Sequence, residues 1–238
     1  MKKKYYSQKD KNNNYIWIYG IHACRAALEN HERQIESIYF LNTVGYNKTS
    51  LMAAIEKREI LKKISYVNKS FFNSRLGLEV KHQGVLIKSS KKIIKDFNNL
   101  FTSKVKKKSS RFGVILDNIS DPQNIGAVFR SARAFNIDFI INTSKNSVLE
   151  SSSLLNTACG AFETVNLFTC GNISDCIKKF KDNGWWIVGM DHLANKKLQP
   201  LLGSVKKNEK ILFVLGSEGK GIRRLVKKNC DLLCKIPT

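Results

Sequence analysis

Three stretches of the chain combine small residues with side chains that could bind a ligand or assist a reaction. The first is DNISDPQNIGAVFR, from Asp117 to Arg130. The second is LGSEGKGI at 215–222, and the third is the terminal Ile236-Pro237. Each follows an apolar run typical of a buried strand, and a helix-like segment follows the first two. This order places all three at strand ends, where open α/β sheets bind ligands.

Arg130 is the residue of the first stretch best suited to a chemical role. A helix that begins after Asp121 or Asn124, either of which could cap it, has an apolar stripe of Ile125, Val128, Phe129, Ala132 and Phe135. Arg130 falls on nearly the opposite side, so it is free to reach a phosphate, a carboxylate or a reacting hydroxyl. Considered alone, Arg130 is better explained as a solvated Arg on an amphipathic helix. Gly126 leaves room for a group to approach the first turn.

The second stretch predicts a loop whose backbone approaches a ligand, because three Gly fall within the six residues 216–221. It matches neither GxxxxGK[ST] nor GxGxxG, which counts against a nucleotide-binding oxidoreductase. Glu218 in this loop could act as a general base or bind a ribose hydroxyl. The alternative is an acid at a helix N-terminus, stabilised by the helix dipole.

The charge of the chain favours a nucleic-acid partner. Lys and Arg number 41 against 19 Asp and Glu, a formal net charge of +22. RNA or DNA is the commonest partner for such an excess, although a generally Lys-rich composition would explain part of it. His82 and His192 could contact a ligand, but a surface or capping role suits both better. The six Cys show no CxxC spacing, so we expect reduced, mostly buried thiols and no metal site.

No part of the sequence indicates a membrane or an export signal. No apolar run reaches the roughly 18 residues that a transmembrane helix needs. The N-terminal residues lack the apolar segment of a secretory signal. We therefore expect a cytoplasmic protein without membrane contact.

Strand and helix patterns predict two α/β domains. Near-continuous apolar strands alternate with helices after residue 111, which predicts a mostly parallel sheet covered on both faces. The predicted division is a basic flexible tail at 1–14, a small α/β domain at 15–90, a basic helix and linker at 91–110, and a second α/β domain at 111–238. The pattern also predicts helices over 50–64, 93–101 and 154–161.

Together, the three stretches resemble the SpoU branch of the knotted SPOUT methyltransferases. The first motif of that branch is matched by Asp117, Asp121-Pro122, Asn124-Ile125-Gly126, Arg130 and Ala132. The second is matched by 215–219 and Gly221-Ile222, and the third begins at Ile236-Pro237. YGIHACRAAL and HQGVLI resemble the substrate-binding domain of the subfamily that methylates guanosine in large-subunit ribosomal RNA. The resemblance covers about 15–238.

The resemblance implies transfer of a methyl group from S-adenosyl-L-methionine to a ribose 2′-hydroxyl of rRNA or tRNA, with guanosine as the expected nucleoside. It implies a trefoil-knotted domain and a homodimer with the active site near the subunit interface. The implied catalytic residues are Arg130, Asn124 and Glu218. The implied cofactor-binding residues are Gly189, Leu215, Gly216, Ile236 and Pro237.

One departure from the family pattern concerns the third motif. In the family it continues past Ile-Pro into a segment with Ser-Leu-Asn and a terminal helix, which complete the cofactor pocket, the dimer contact and the knot. This sequence stops at Thr238. We therefore hold two expectations open, a fragment of a complete methyltransferase and a shortened RNA-binding protein with impaired catalysis.

Overall fold

The computed structural model describes residues 14–42, 49–102, 111–143, 150–206 and 209–236. The predicted basic tail before Asn14, the second half of the predicted linker and Pro237 lie outside these described residues. The chain folds into two compact units. The N-terminal unit ends at Lys92 and also includes Glu150–Ser152, and the C-terminal unit comprises 93–149 and 153–238.

The N-terminal unit contains a four-stranded sheet of order β1-β4-β2-β3. Its strands are β1 Tyr15–Tyr19, β2 Ile35–Leu41, β3 Ile64–Val67 and β4 Val85–Ser90. Strand β4 is antiparallel to both β1 and β2, whereas β2 and β3 are parallel. The helices are α1 Ile21–Glu29, α2 Thr49–Lys57 and α3 Lys69–Leu76, with a 3-10 turn at Leu61–Lys63.

The predicted helix over 50–64 is too long. Helix α2 ends at Lys57, and Glu59 has φ 57°, a left-handed conformation that a helix cannot include. The next residues form the 3-10 turn, and Ile64 already begins β3. Strand β3 was missed because its apolar residues fit the helical period of the preceding segment as well as a strand.

One face of the N-terminal sheet is an aliphatic core. Side chains alternate along each strand, and β1 buries Ile16 and Ile18 on this face. Ile38 and Ile87 lie on it too, since the strand register pairs Ile18 with Ile87 and Ile87 with Ile38. Helix α1 packs against β1, β4 and α2.

The C-terminal unit contains an eight-stranded sheet of order β10-β12-β9-β11-β6-β7-β8-β5. Every strand pair in it is parallel, so the predicted α/β architecture is confirmed. The strands are β5 Lys95–Asp96, β6 Phe112–Asp117, β7 Phe139–Thr143, β8 Asn166–Cys170, β9 Trp185–Met190, β10 Lys196–Lys197, β11 Lys210–Gly216 and β12 Leu232–Lys235. The central strands are buried on both faces, which explains their near-continuous apolar sequences.

Seven helices lie in the described part of this half of the chain: α4 Asn99–Thr102, α5 Pro122–Ala134, α6 Ser152–Thr157, α7 Ala161–Thr164, α8 Ile173–Asp182, α9 Leu198–Ser204 and α10 Arg224–Asn229. None of the described helices is long and apolar enough to cross a bilayer.

The predicted helix over 154–161 is wrong as a single element. Positive φ at Cys159 (49°) and Gly160 (87°) divides it into α6 and α7.

The predicted helix over 93–101 is also wrong. Only Asn99–Thr102 is helical, and Lys95–Asp96 forms a short edge strand beside β8. The reason is the buried Phe97, whose ring stacks on that of Phe180 with a centroid distance of 6.2 Å. This contact joins residues far apart in the chain, and it holds the segment in an extended conformation that local periodicity does not indicate.

Of the two caps that the sequence left open for helix α5, the structure uses Asp121 and not Asn124. The Asp121 side chain accepts a hydrogen bond from the Gln123 backbone N–H at 2.9 Å, and Pro122 takes the first helical position. Ile125 and Phe129 are buried on its apolar stripe. Phe135, expected on the same stripe, follows the end of the helix and is 78 % exposed.

Candidate functional site

The three stretches converge at one edge of the parallel sheet. The register places Asp117 of β6 beside Gly216 of β11, and Leu215 of β11 beside Met190 of β9. Met190 in turn lies beside Cys234 of β12, two residues before Ile236. From β6 the chain first adds β7 and β8 on one side of the sheet. It then crosses over and adds β9 and β11 on the other side of β6. This reversal of strand order marks the position where ligands bind in open α/β sheets.

Two glycines allow close packing at this edge. A Cβ on Gly216 would lie 2.1 Å from the backbone carbon of Gly221, so the loop after β11 folds directly back over the strand end. The Gly221 N–H donates to the Ser217 carbonyl at 2.8 Å and closes that turn. A Cβ on Gly189 would lie 2.7 Å from Leu233 Cδ2. Of the residues expected to bind cofactor, Gly189, Leu215 and Gly216 lie on the neighbouring strands β9 and β11 at this edge, and Ile236 directly follows β12.

Gly126 does not leave room for a ligand, contrary to the sequence-based expectation. A Cβ at this position would lie 2.8 Å from both the Leu154 carbonyl oxygen and Thr157 Cβ. Helix α6 occupies that space. The absence of a side chain at Gly126 therefore serves the packing of α5 against α6.

The structure brings together two of the three expected catalytic residues. Asn124 Nδ2, in the first turn of α5, donates a long hydrogen bond of 3.5 Å to Glu218 Oε2. Both side chains are exposed. Helix α10 begins only at Arg224 and has no acid in its first turn, so Glu218 is not an acid stabilised by the N-terminus of that helix. Glu218 is instead a loop carboxylate available to a ligand.

Arg130 lies apart from the Asn124–Glu218 pair. It is six residues beyond Asn124 on α5, which corresponds to about 9 Å along the helix axis. Its side chain is exposed and has no hydrogen bond or ion pair to any residue within the described ranges. Arg130 is therefore free to bind a substrate group.

An ion pair that the sequence did not reveal holds the edge together. Asp117, the last residue of β6, is fully buried. Its Oδ1 accepts from Arg223 Nε at 2.7 Å, and its Oδ2 accepts from the Arg223 backbone N–H at 2.8 Å. The pair fixes the start of α10 on the end of β6. An Asp that ends an apolar run was visible in the sequence, but nothing there selects Arg223 over Arg224 as its partner.

Substitution of Arg223 is expected to destabilise the C-terminal unit. Arg223→Ala removes the charged partner of the buried Asp117 and leaves only one backbone donor, a loss of about 2–3 kcal/mol in the free energy of unfolding. Arg224→Ala is the matched control, since Arg224 is exposed like Arg223 but its side chain makes no hydrogen bond or ion pair within the described residues, and about 0.5 kcal/mol is expected. Urea unfolding followed by tryptophan fluorescence measures both. Equal stabilities of the two variants would contradict the assigned role of Arg223.

A second ion pair lies at the end of β9. Lys227 Nζ lies 2.5 Å from Asp191 Oδ2, and this hydrogen bond holds the pKa of the Asp191 carboxyl below its ordinary value despite its burial. The Asp191 backbone N–H also donates to the Cys234 carbonyl at 2.9 Å. The ends of β9 and β12 and helix α10 are thereby connected.

The two histidines that could have contacted a ligand have other positions. His192 is exposed on the surface, and His82 Nδ1 caps a turn by accepting a hydrogen bond from the Gly84 N–H.

The thiols near the edge are not arranged as nucleophiles. Burial raises the pKa of the Cys230 thiol to about 11, so it is protonated at neutral pH. Cys234 is buried, and burial raises its pKa too. Within the described ranges, no group of three or more His, Cys, Asp and Glu side chains could hold a metal ion.

Known proteins provide an independent comparison. The SpoU rRNA Methylase family matches residues 111–238, and the family described as RNA 2′-O ribose methyltransferase substrate binding matches residues 17–93. An uncharacterized tRNA/rRNA methyltransferase of Borreliella burgdorferi is 41 % identical over 63 % of this chain and 64 % of that protein, just under two thirds of its length. The 23S rRNA (guanosine-2′-O-)-methyltransferase RlmB of Coxiella burnetii is 32 % identical over 92 % of this chain and 85 % of that protein.

Solved structures share the fold at low sequence identity. A crystal structure of an RNA 2′-O ribose methyltransferase has a TM-score of 0.74 and 14 % identity, covering 94 % of this chain and 80 % of that one. The SpoU methyltransferase AviRb of Streptomyces viridochromogenes, solved in complex with AdoMet, has a TM-score of 0.71 and 14 % identity, covering 94 % and 81 %.

These comparisons confirm the resemblance carried by the three stretches. The methylase family alone matches more than half of the chain, and its match contains every stretch that converges at the sheet edge. The substrate-binding family accounts for most of the N-terminal unit. The chain therefore belongs to the SpoU rRNA methylase family of S-adenosylmethionine-dependent RNA 2′-O-methyltransferases.

Proposed function

We propose that this protein methylates the ribose 2′-hydroxyl of a guanosine in large-subunit ribosomal RNA. The observation that carries the proposal is the 32 % identity to a 23S rRNA guanosine methyltransferase over 92 % of the chain, which includes both units. The relative of that name in Escherichia coli strain K12 is 30 % identical over the same share. The excess of 22 positive charges supports a phosphate-rich substrate. Such a substrate also favours the cytoplasm as the location.

The residues at the sheet edge fit S-adenosylmethionine. Leu215 and Met190 are half-buried neighbours, and Ile236 is 64 % exposed just beyond β12. Apolar side chains of this kind suit the flat face of an adenine, while the folded-back loop 216–221 offers backbone groups to its polar atoms. We propose that Gly189, Leu215, Gly216 and Ile236 hold the cofactor, and that Pro237, outside the described residues, continues this surface. When bound, the cofactor supplies an electrophilic methyl group.

Arg130 is proposed to position the ribose and to stabilise charge on its 2′-oxygen. A hydroxyl is a poor nucleophile, so its reaction is accelerated by alignment and by a cation near the developing negative charge. A guanidinium has no acceptor atom and stays protonated in proteins, so Arg130 is not proposed as a general base. A phosphate or another group therefore takes the proton. Asn124 and Glu218 are proposed to orient the nucleotide through their exposed polar atoms.

We also propose that the protein acts as a homodimer. Within one chain, Arg130 makes no hydrogen bond or ion pair to Asn124 or Glu218, and it lies roughly 9 Å from Asn124 along the axis of α5. Members of the family work as homodimers with the active site near the interface. A second subunit would therefore place its own residues beside this sheet edge. The trefoil knot stays a prediction from the same resemblance.

Methylation of defined RNAs tests the proposal. The full chain and tritiated S-adenosylmethionine are incubated with unmodified large-subunit rRNA, unmodified tRNA and small-subunit rRNA. We expect incorporation into the first at a single guanosine 2′-hydroxyl, mapped by its resistance to alkaline cleavage. Incorporation into tRNA alone would overturn the proposed substrate, and no incorporation into any RNA would overturn the proposed activity. Light scattering of the same sample measures the oligomeric state.

A further inference from the structure

Strand β1 carries aromatic side chains on the outer face of the N-terminal sheet and isoleucines on the inner, buried face. Strand β1 alternates, so Tyr15 and Trp17 lie opposite the buried Ile16 and Ile18. The register pairs Trp17 with Lys88 of β4, which places Lys88 on the same outer face.

The aromatic rings on this face form a connected row. The Tyr15 and Trp17 ring centroids are 5.9 Å apart, and those of Trp17 and Tyr39 are 6.0 Å apart. Helix α3 extends the row, because the Phe71 centroid lies 4.6 Å from that of Tyr39. All four rings are only half-buried, so each presents part of its surface to solvent. We call Tyr15, Trp17, Tyr39 and Phe71 the aromatic row.

Two cations lie directly against the aromatic row. The Arg75 guanidinium carbon is 3.6 Å from the Phe71 centroid and 5.7 Å from the Trp17 centroid. Lys88 Nζ is 4.2 Å from the Tyr15 centroid and also pairs with Glu36 Oε2 at 2.6 Å. Arg75 Nη1 donates to the Phe71 carbonyl at 3.3 Å and to Ser74 Oγ at 2.7 Å. The other N–H groups of the stacked guanidinium lie at the ring edge, where a phosphate oxygen can accept them.

Packing of α3 on the sheet accounts for only part of this arrangement, because Trp17, Tyr39 and Phe71 pack against its buried centre but stay half-exposed. Phe72 and Leu86 are completely buried and form the centre of the contact between the helix and the sheet. Arg75 is exposed, and its guanidinium adds little to that apolar contact. A sheet face that combines accessible rings with cations has the composition that proteins use to bind single-stranded nucleic acid.

We propose that the aromatic row, with Arg75 and Lys88, binds unpaired nucleotides of the RNA substrate. Bases stack on the exposed ring surfaces, chiefly those of Trp17 and Tyr39, and the neighbouring phosphates contact the two cations. The ligand is unpaired because bases in an A-form duplex are already stacked on each other and cannot lie on a protein ring. The inference rests on the proposed function only in taking RNA as the partner, and it requires no catalysis.

Binding of a labelled single-stranded RNA to the full chain tests the proposal without S-adenosylmethionine. Fluorescence anisotropy is measured for a mixed-sequence 12-nucleotide RNA and for the same RNA annealed to its complement. Trp17→Leu is expected to weaken binding of the single strand by about 5- to 100-fold, the range for loss of one stacked base. Trp17→Phe keeps a ring and is expected to retain most of the affinity. Arg75→Gln, at an exposed position, tests the cation separately and is expected to lower the salt dependence of binding.

Tyr66→Leu is the matched control. Tyr66 is 58 % exposed and belongs to the same sheet, but its ring faces Phe40 of the inner face at 6.1 Å. Equal RNA affinities of Trp17→Leu and Tyr66→Leu would overturn the proposal, as would tighter binding of the duplex than of the single strand. A changed oligomeric state of Trp17→Leu with unchanged RNA affinity would also overturn it and would assign the face to a protein contact.

The outcome is separable from that of the proposed function. A chain that binds the single strand through Trp17 but methylates no RNA would refute the proposed activity and leave this inference standing. If Trp17→Leu methylates large-subunit rRNA and binds the 12-nucleotide RNA as well as the unsubstituted chain does, the proposed activity stands and this inference is refuted.

Discussion

Arg130→Ala is expected to reduce methyl transfer to RNA by about 10²- to 10³-fold, the typical effect of removing one group that stabilises charge in a transition state. The side chain is exposed and makes no hydrogen bond or ion pair within the described part of the chain, so its removal leaves no buried group unpaired. Fold and stability should therefore stay unchanged. The loss should appear mainly in kcat, because the charge that Arg130 stabilises develops only as the hydroxyl reacts.

The control for this prediction lies on the same helix. Arg133 is also an exposed Arg of α5, one turn nearer its C-terminus. Arg133→Ala removes the same charge from the same element, so any general electrostatic effect on RNA binding should be similar in the two variants. Only Arg130→Ala should lose turnover. An equal loss in both would attribute the effect to RNA attraction, and full activity of Arg130→Ala would refute its assigned role.

Arg130→Lys separates positioning from charge. Lys retains the positive charge but lacks the planar fork that binds two oxygens of a phosphate at once. If Arg130 acts only by its charge, Arg130→Lys should recover most of the activity. If the fork orients the ribose and its phosphate, recovery should be small and the KM for RNA should rise. Tritiated-methyl incorporation at varied RNA concentration distinguishes the two results.

The parallel sheet was predictable because its strands are buried on both faces and its helices have local start signals. Continuous apolar runs such as FGVIL and WWIVG have few alternatives to a central strand. The Asp121-Pro122 pair begins α5 through a side-chain cap and a fixed φ, both of which are local. Errors arose where distant partners decide the local structure. Lys95–Asp96 is extended because β8 provides its hydrogen bonds, and the turn that follows is held by the packing of Phe97 on Phe180.

The site was predictable in its motif residues but not in the contacts that hold them. Asn124 and Glu218 approach each other although 94 residues separate them. Their motif identified them, but the contact follows only from the adjacency of β6 and β11. The Asp117–Arg223 pair spans 106 residues and had no local signal. Gly126 shows the reverse error, since a small residue at a helix start suits a ligand and a neighbouring helix equally well, and here α6 fills the space.

Arg33→Met is expected to destabilise the N-terminal unit by about 3–5 kcal/mol, the range for removing one partner of a buried ion pair. Arg33 Nη1 lies 2.6 Å from Glu150 Oε1, and the two side chains are only 1 % and 3 % exposed. Glu150 Oε2 also accepts from the Lys92 backbone N–H at 2.8 Å. After the substitution this N–H remains as a donor, but a carboxylate stays buried without its counter-charge. The control is Arg25→Met, which breaks the exposed pair with Glu29.

The exposed Arg25–Glu29 pair, with side chains 54 % and 53 % exposed, should contribute only about 0.3–0.5 kcal/mol. Hydrogen exchange of β1 and β4 peptides reports the stability of the N-terminal unit, and exchange of β6 and β11 serves as the internal reference.

Joint replacement of Arg33 and Glu150 by Met should be less destabilising than Arg33→Met alone, because it removes the unpaired charge with its partner. If the double variant is the less stable of the two, the penalty comes from lost packing and hydrogen bonds. If it is the more stable, the buried charge itself is the cost, and Glu150 depends on Arg33 for its place in the fold.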